Sequence, residues 1–553
     1  MSSGGSGPST PAISISERDL HVDRLLAESK AALDSGTHER AAQAAEIATR
    51  INPKRGDAWI YLCAALEALG SVDLERAIAN ALSHLGDDHP LAPALNADRA
   101  RALGVRGRWQ EAAELARATA ARSDLAPHQH NTLGSVFPQI GLYAEGLHHA
   151  ALGADGLPQS PKAFYTLGTA SRYLGLDEDA RVAFERVLQL KPGDSLALGS
   201  LAAMRKAKPD ANHVAALEEA IGATTDPESA ARLHHALFKE LDDLGRHAEA
   251  WPVLVEGARL ARSVFPFDMQ SRVDRTSALI ETFPPSSFQN IGTQPAFQRP
   301  RPIFIFGLPR SGTTITERVF AAHSRVTALG ETPFFLRAVK HALGYAKSTT
   351  LVPADVHASR DLDWSNVADL YLKNIAFLLE GADAFSEKTP HNYDFAGPIA
   401  LAFPEAALVH VRRAPMDSLF GAYRLLFGEG GYHWSYAFED LAENYRQYRR
   451  IMDHWRACLG ERLIEVTLED LVDRTEPEIR RLLASAGLEF EPACLSPEKN
   501  SSGVSTASTS QIRQPINKQG MGRWRAYAEQ LEPLRAELER DGFVDRHGDP
   551  IWD

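Results

Sequence analysis

Residues 301–314 read RPIFIFGLPRSGTT. Pro302 to Phe306 form a short apolar run that stops at Gly307, as a buried parallel strand does where it enters a turn. Gly307 and Gly312 have the separation found in a nucleotide-binding loop of the form G-x-x-x-x-G-K-[ST], but Thr313 stands in the lysine position. The following residues, ITERVFAAH, read as a helix, so the loop joins a strand to a helix N-terminus. There the amides of Ser311 to Thr314 point outward, and a bound anion gains from the local dipole. Thr313 and Thr314 add hydroxyl donors, and Arg310 adds a planar, permanently charged fork. This chemistry suits a 5′-phosphate. Triphosphate chemistry needs the missing lysine and a magnesium ion held by an acidic strand end. The next apolar run, AALVHV, does not end in Asp, so a ligand with a less charged group to transfer fits better.

Outward from this loop, ADAFSEK, AALVHVRR and RLIEVTLEDL read as further strands. Helical stretches such as FEDLAENYRQYRRIMDHWRACL separate them. Strand–helix alternation over residues 301–553 predicts an α/β domain with a parallel sheet, whose ligand lies beyond the carboxyl ends of the strands. Residues 263–300 are rich in Pro, Ser and Gln and read as an irregular linker.

The first half has a different logic. Gly36, Gly70, Gly107, Gly141 and Gly175 recur at intervals of 34, 37, 34 and 34 residues, and Pro53, Pro158 and Pro192 each follow one of them by seventeen. In PKAFYTLGTASRYLGLDEDARVAFERVLQLKPGD, Phe164, Leu167, Gly168, Gly175, Ala180, Phe184 and Pro192 occupy the positions of a tetratricopeptide repeat. Gly168 lets two helices approach, Gly175 turns the chain between them, and Pro192 stops the second. Gly245 marks a further, degenerate pair. Residues 20–262 are therefore expected to form an all-α repeat solenoid, preceded by a disordered tail over 1–19. Such a solenoid either binds a protein partner or supports its neighbour.

Composition sets outer bounds. The 553 residues carry a net charge of −13, with 44% hydrophobic and 24% charged residues, which fits a multidomain globular protein and argues against general nucleic-acid binding. Cys63, Cys458 and Cys494 lack metal-ligand spacing and form no disulfide framework. Without an apolar run of membrane length or a signal peptide, a cytoplasmic protein with no membrane partner is expected.

The loop, together with EKTPHN, FPEAALVHVRRAPMDSLFGAY, QIRQPIN and GRWRAYAEQLEPL in that order, resembles the sulfotransferases that use 3′-phosphoadenosine 5′-phosphosulfate (PAPS). Within them it is similar to the tetratricopeptide-repeat branch related to tyrosylprotein sulfotransferases. The resemblance covers about residues 301–535. It implies a metal-free transfer of a sulfuryl group from PAPS to an acceptor hydroxyl.

The same resemblance implies roles. Arg310, Ser311, Gly312, Thr313 and Thr314 would cradle the 5′-phosphosulfate, and Arg413, before Pro415 and Asp417, would hold the 3′-phosphate. The family's partner serine falls on Gly421, so Ser418 or water would have to replace its hydroxyl. Glu331 in LGETPFF would be the base toward the acceptor, and Lys388 would offset charge on the departing bisphosphate, with Ser508 at the same oxygen. His391 would be only a neighbour. Lys518, Arg523 and Arg525 would close over the nucleotide, with Trp524 as packing. A kinase or NTPase, or an adaptor with an inactive nucleotide domain, are the competing readings. The acceptor is open: peptide tyrosine, carbohydrate, lipid or small phenol.

Overall fold

A computed structural model of the protein describes residues 15–71, 73–289, 291, 300–344, 351–379, 381–427, 431–500 and 515–552. It divides into two compact units, Met1–Ile140 and Gly141–Asp553.

In the first unit, helices from Ile15–Asp34 to Pro127–Gln139 follow one another with short turns. The first helix starts at Ile15, inside the stretch read as a tail, and residues 1–14 lie outside the described residues. Gly36, Gly70 and Gly107 sit between paired helices at φ of 75°, 59° and 74°, a left-handed conformation that a β-carbon penalises. Small residues dominate the contact faces. Ala45, Ala77 and Ala81 pack with Trp59, Leu62 and Ile78, so the helix pairs bury their faces only against one another.

The second unit opens with the same helix-pair pattern. Tyr143–Gly156, Pro161–Tyr173, Asp177–Leu190, Ser195–Met204, Val214–Ala223, Pro227–Asp243 and His247–Val264 are all helical, and Gly175 and Gly245 have φ of 73°. A β-carbon on Gly168 would lie 2.7 Å from the Phe184 ring, which is why the helix pair can close only over glycine there. Where Pro and Ser content points to an irregular connector, Met269–Thr282 is instead a helix. Its N-terminus is capped by Asp268, which accepts from the Ser271 amide at 3.2 Å. Arg272 on its buried face pairs with Asp394 at 3.0 Å, a contact across more than a hundred residues that local composition does not encode.

The sheet has five parallel strands: β1 Arg301–Phe306, β2 Val326–Ala328, β3 Ala384–Lys388, β4 Ala407–Arg412 and β5 Leu463–Thr467, in the order β2-β3-β1-β4-β5. β1 is central, and its residues Pro302 to Phe306 are buried on both faces by the flanking helices. The order reverses at β1, between β3 and β4, so a crevice opens beyond their carboxyl ends. No helix among the described residues is long and apolar enough to cross a membrane.

Candidate active site

Each of the four strands from β2 to β4 across the sheet delivers a predicted site residue at or just past its carboxyl end. The loop 307–312 follows β1, Glu331 follows β2, Lys388 ends β3, and Arg413 follows β4. Past β5, the Glu469 carboxylate accepts from the Ala414 amide at 3.0 Å and holds the chain beside Arg413.

The loop itself is tightly built. A β-carbon on Gly307 would meet the Val411 carbonyl oxygen at 2.2 Å, so the strand-to-loop passage admits only glycine. Gly312, at φ 103°, precedes helix Thr313–Ala321 and leaves its first amides facing the crevice. Arg310 is the one non-glycine residue with positive φ (69°) among the described residues, a conformation costly for a side chain of its size. It is held by Arg413, whose Nη1 donates to the Arg310 carbonyl at 2.8 Å. Ser311 and Ser418 bury hydroxyls that have no hydrogen-bond partner among the described residues.

The charges that act on Arg310 itself are all positive, although Asp417 lies beside Arg413 and Asp242 beside Arg424 and Arg523. Burial first, then Arg424, Arg413 and Arg523, push its guanidinium down to about 9. Burial also lowers Arg413, and takes Arg424 down to about 10 with Arg523 adding to the effect. Four arginines thus converge where an anion would relieve their repulsion. The 518–525 segment docks onto the same corner. Arg413 contacts the Gly520 carbonyl, and the Gly522 amide donates to Asp417 at 2.9 Å. Lys518 pairs with Asp473, Arg525 with Asp549 at 2.5 Å, and Arg523 with Asp242 at 2.5 Å. Trp524 packs under Gly548, where a β-carbon would lie 2.5 Å from its ring.

Gly421 has a local reason. It lies in helix Pro415–Tyr423, and a β-carbon there would approach the Arg310 Cβ to 3.0 Å and its Cγ to 3.2 Å. Glycine inside a helix costs about 1 kcal/mol against alanine, yet here it makes room for the strained arginine. Gly421→Ser is therefore expected to weaken binding of adenosine 3′,5′-bisphosphate (PAP) about tenfold, through overpacking against Arg310. Calorimetric titration checks it. Unchanged or tighter binding would mean that the serine restores a phosphate contact and that the crowding is harmless.

On the other side of the loop helix, the buried Lys388 ammonium contacts the Glu331 carboxylate, and the Lys388 amide donates to the Gly330 carbonyl at 2.9 Å. The structure thus brings Glu331 and Lys388 together. Ser508 lies outside the described residues. Sequence reasoning missed Glu317, whose Oε1 accepts from the Gly330 amide at 3.0 Å and braces the turn that presents Glu331. Burial pushes the Glu317 carboxyl up to about 7, while Lys388 pulls it back. Its signal was spacing: Glu317 is four residues after Thr313, on the same helix face as the loop threonines. Next to Lys388, Glu387 is buried and satisfied by Tyr371 Oη at 2.7 Å and Asn392 Nδ2 at 2.9 Å, which fixes the end of β3. Among the described residues no group of three or more His, Cys, Asp or Glu side chains gathers as a metal site.

Residues 302–492, which span this sheet and its loops, match the sulfotransferase family model. That stretch is a sulfotransferase-family domain. An uncharacterized protein of Aquifex aeolicus (strain VF5) is 29% identical over 317 residues, 56% of this chain and 41% of its own length. The chain therefore spans about two fifths of that relative. Protein-tyrosine sulfotransferase 1 of Danio rerio is 26% identical over 255 residues, 43% of this chain and 69% of its own. A solved sulfotransferase domain from the Synechococcus PCC 7002 olefin synthase aligns over 42% of this chain and 90% of its own, at 21% identity and a TM-score of 0.30. The matched stretch carries the described predicted residues from Arg310 to Ser418, whereas Lys518, Arg523, Trp524 and Arg525 lie past it.

Proposed function

We propose that this protein moves a sulfuryl group from PAPS to an acceptor hydroxyl, and that a tyrosine phenol in a peptide is the acceptor to test first. The observation that carries the reading is the arginine convergence at the strand-to-helix bend. Arg310, Arg413, Arg424 and Arg523 repel one another, and a ligand with phosphate at both ends of a ribose would relieve that repulsion. The name of the Danio rerio relative supports the choice of tyrosine. The helical repeats are the part of the chain suited to a peptide partner.

The residues present fit the donor. The buried hydroxyls of Ser311 and Ser418 lack partners among the described residues, and the N-terminus of helix Thr313–Ala321 follows directly, although the Ser311 amide itself donates to the Leu308 carbonyl at 3.1 Å. Ser311 to Thr314 with Arg310 would hold the 5′ end, and Arg413 with Ser418 the 3′-phosphate. The donor, when bound, supplies the sulfuryl group and a bisphosphate leaving group. Glu331 would take the proton from the acceptor oxygen, because a phenol with a pKa near 10 is scarcely ionised at neutral pH. Lys388, buried beside Glu331, would place positive charge where the leaving oxygen gains negative charge.

Incubation with [³⁵S]PAPS and a panel of peptide, phenol, carbohydrate and lipid acceptors is expected to label a tyrosine peptide. PAP is expected to bind without added metal. Saturation by ATP with magnesium, with no affinity for PAP, would overturn the reading.

A further inference from the structure

The donor-site arginines are not held by the sulfotransferase domain alone. Helix Pro227–Asp243, from the last of the repeat-like pairs, ends in Asp242 and Asp243 just before the Gly245 turn. Asp242 is buried, and its two carboxylate oxygens are fully engaged. Oδ2 accepts from Arg523 Nη2 at 2.5 Å and from Arg424 Nη1 at 3.4 Å, and Oδ1 accepts from Tyr527 Oη at 2.9 Å. Tyr527 in turn contacts His247 Nδ1 at 3.1 Å on the second helix of the pair. An aromatic seam fixes this geometry. Phe238 packs on Phe420 at 6.5 Å and on Tyr527 at 5.9 Å, and Trp251 packs on Tyr423 at 6.1 Å. Phe420 and Tyr423 flank Gly421, so the seam rests on the helix that also makes room for Arg310.

We infer that Asp242 is a positioning residue for the donor site, holding Arg424 and Arg523 toward Arg310 and Arg413 and so making the repeat helices a structural part of the PAPS pocket. This rests on the proposed use of PAPS. The physical need is clear from the charges. Four guanidiniums in one corner repel one another, and Arg523 is about a third exposed, so without a counter-charge its head turns to water. Asp242 removes that freedom before the ligand arrives, and the ordering cost is then not charged against binding. Deleting its negative charge does raise the positive potential of the pocket. That gain acts over several ångströms in partly hydrated surroundings, whereas the lost arginine contacts are direct and charge-assisted.

The test uses the full chain and PAP as the titrant. Asp242→Asn keeps the size of the side chain and is expected to bind PAP about tenfold more weakly. The KM for PAPS is expected to rise by a similar factor and kcat to change less than about twofold, a split that general loss of folded protein would not produce. Because Asp242 acts in part through Arg523, Asp242→Asn combined with Arg523→Ala is expected to lose less PAP affinity than the two single losses added together. If Asp242→Asn yields no folded protein, Tyr527→Phe loosens the same carboxylate with little loss of packing and is expected to weaken PAP about threefold. Wild-type affinity for PAP in whichever variant is folded, or additive losses in the double variant, overturns the inference. Failure of the wild-type chain to bind PAP strikes instead at the proposed function.

Discussion

Arg310→Ala is expected to lower sulfuryl transfer by about a thousandfold and PAP affinity by about a hundredfold. The side chain sits at φ 69° in the bend between β1 and helix Thr313–Ala321, and its position is enforced from both sides. Arg413 Nη1 holds its carbonyl, and Gly421 leaves room for its Cβ and Cγ. Such a costly conformation persists only where the surroundings over-determine it. The guanidinium is pushed down to about 9 by burial and by three other arginines. A base whose pKa falls on folding keeps its charge below pH 9 only at the expense of the folded state, and that penalty fades as pH rises from about 9 toward 12.5. At neutral pH the ligand-free wild type therefore bears the cost in full. The variant should unfold at a midpoint equal to or above that of wild type without ligand, and PAP should stabilise wild type far more than the variant. Since alanine has the same difficulty with positive φ as arginine, backbone strain does not blur the comparison. Calorimetry and thermal unfolding, with and without PAP, read both effects. Undiminished PAP binding by the variant would remove the arginine corner as the donor site.

How much of this was legible beforehand follows the range of the interactions involved. The strand, the turn and the helix start of 301–314 are local features, and each glycine that marks a helix pair in the first half has the left-handed φ that its spacing implies. β3, β4 and β5 were readable as apolar runs. β2 was not, because a strand of three residues carries too little pattern to announce itself. The carboxyl ends of those strands could be anticipated as the site, since a parallel sheet puts them on one edge. What resisted was everything set by contacts distant in the chain. Gly421 looks like a lost serine until Arg310 is seen against it. Helix Met269–Thr282 follows from a buried Arg272–Asp394 pair. Asp242 meets Arg424 and Arg523 from more than 180 residues away, and no local pattern distinguishes it from Asp243 beside it. Glu317 is intermediate, because its helical spacing from Thr313 is visible but its hydrogen bond to Gly330 is not.

Glu331→Gln separates chemistry from binding, and it is expected to reduce transfer by about 10²- to 10⁴-fold while changing PAP affinity by less than about threefold. Three features place the carboxylate for work on an acceptor proton. Gly330, at φ 71°, turns the chain past β2, and its amide is braced by Glu317 while its carbonyl receives the Lys388 amide. Glu331 is 38% exposed at its side chain, so a substrate hydroxyl can reach it. Its contact with the buried Lys388 orients it. Glutamine matches the size of the side chain and can still accept from Lys388, but it cannot take a proton from the acceptor. The loss should therefore fall on kcat, with KM for PAPS nearly unchanged, because the arginine corner that would hold the nucleotide lies on the other side of the loop. Lys388→Met offers the contrast. It strips the buried positive charge beside Glu331, so turnover falls as well, and the two substitutions together should cost less than the product of their separate effects, as expected of groups in contact. Single-turnover measurements with [³⁵S]PAPS read the chemical step directly. Turnover by Glu331→Gln within threefold of wild type would assign the proton to another base and leave Glu331 as the partner of Lys388 alone.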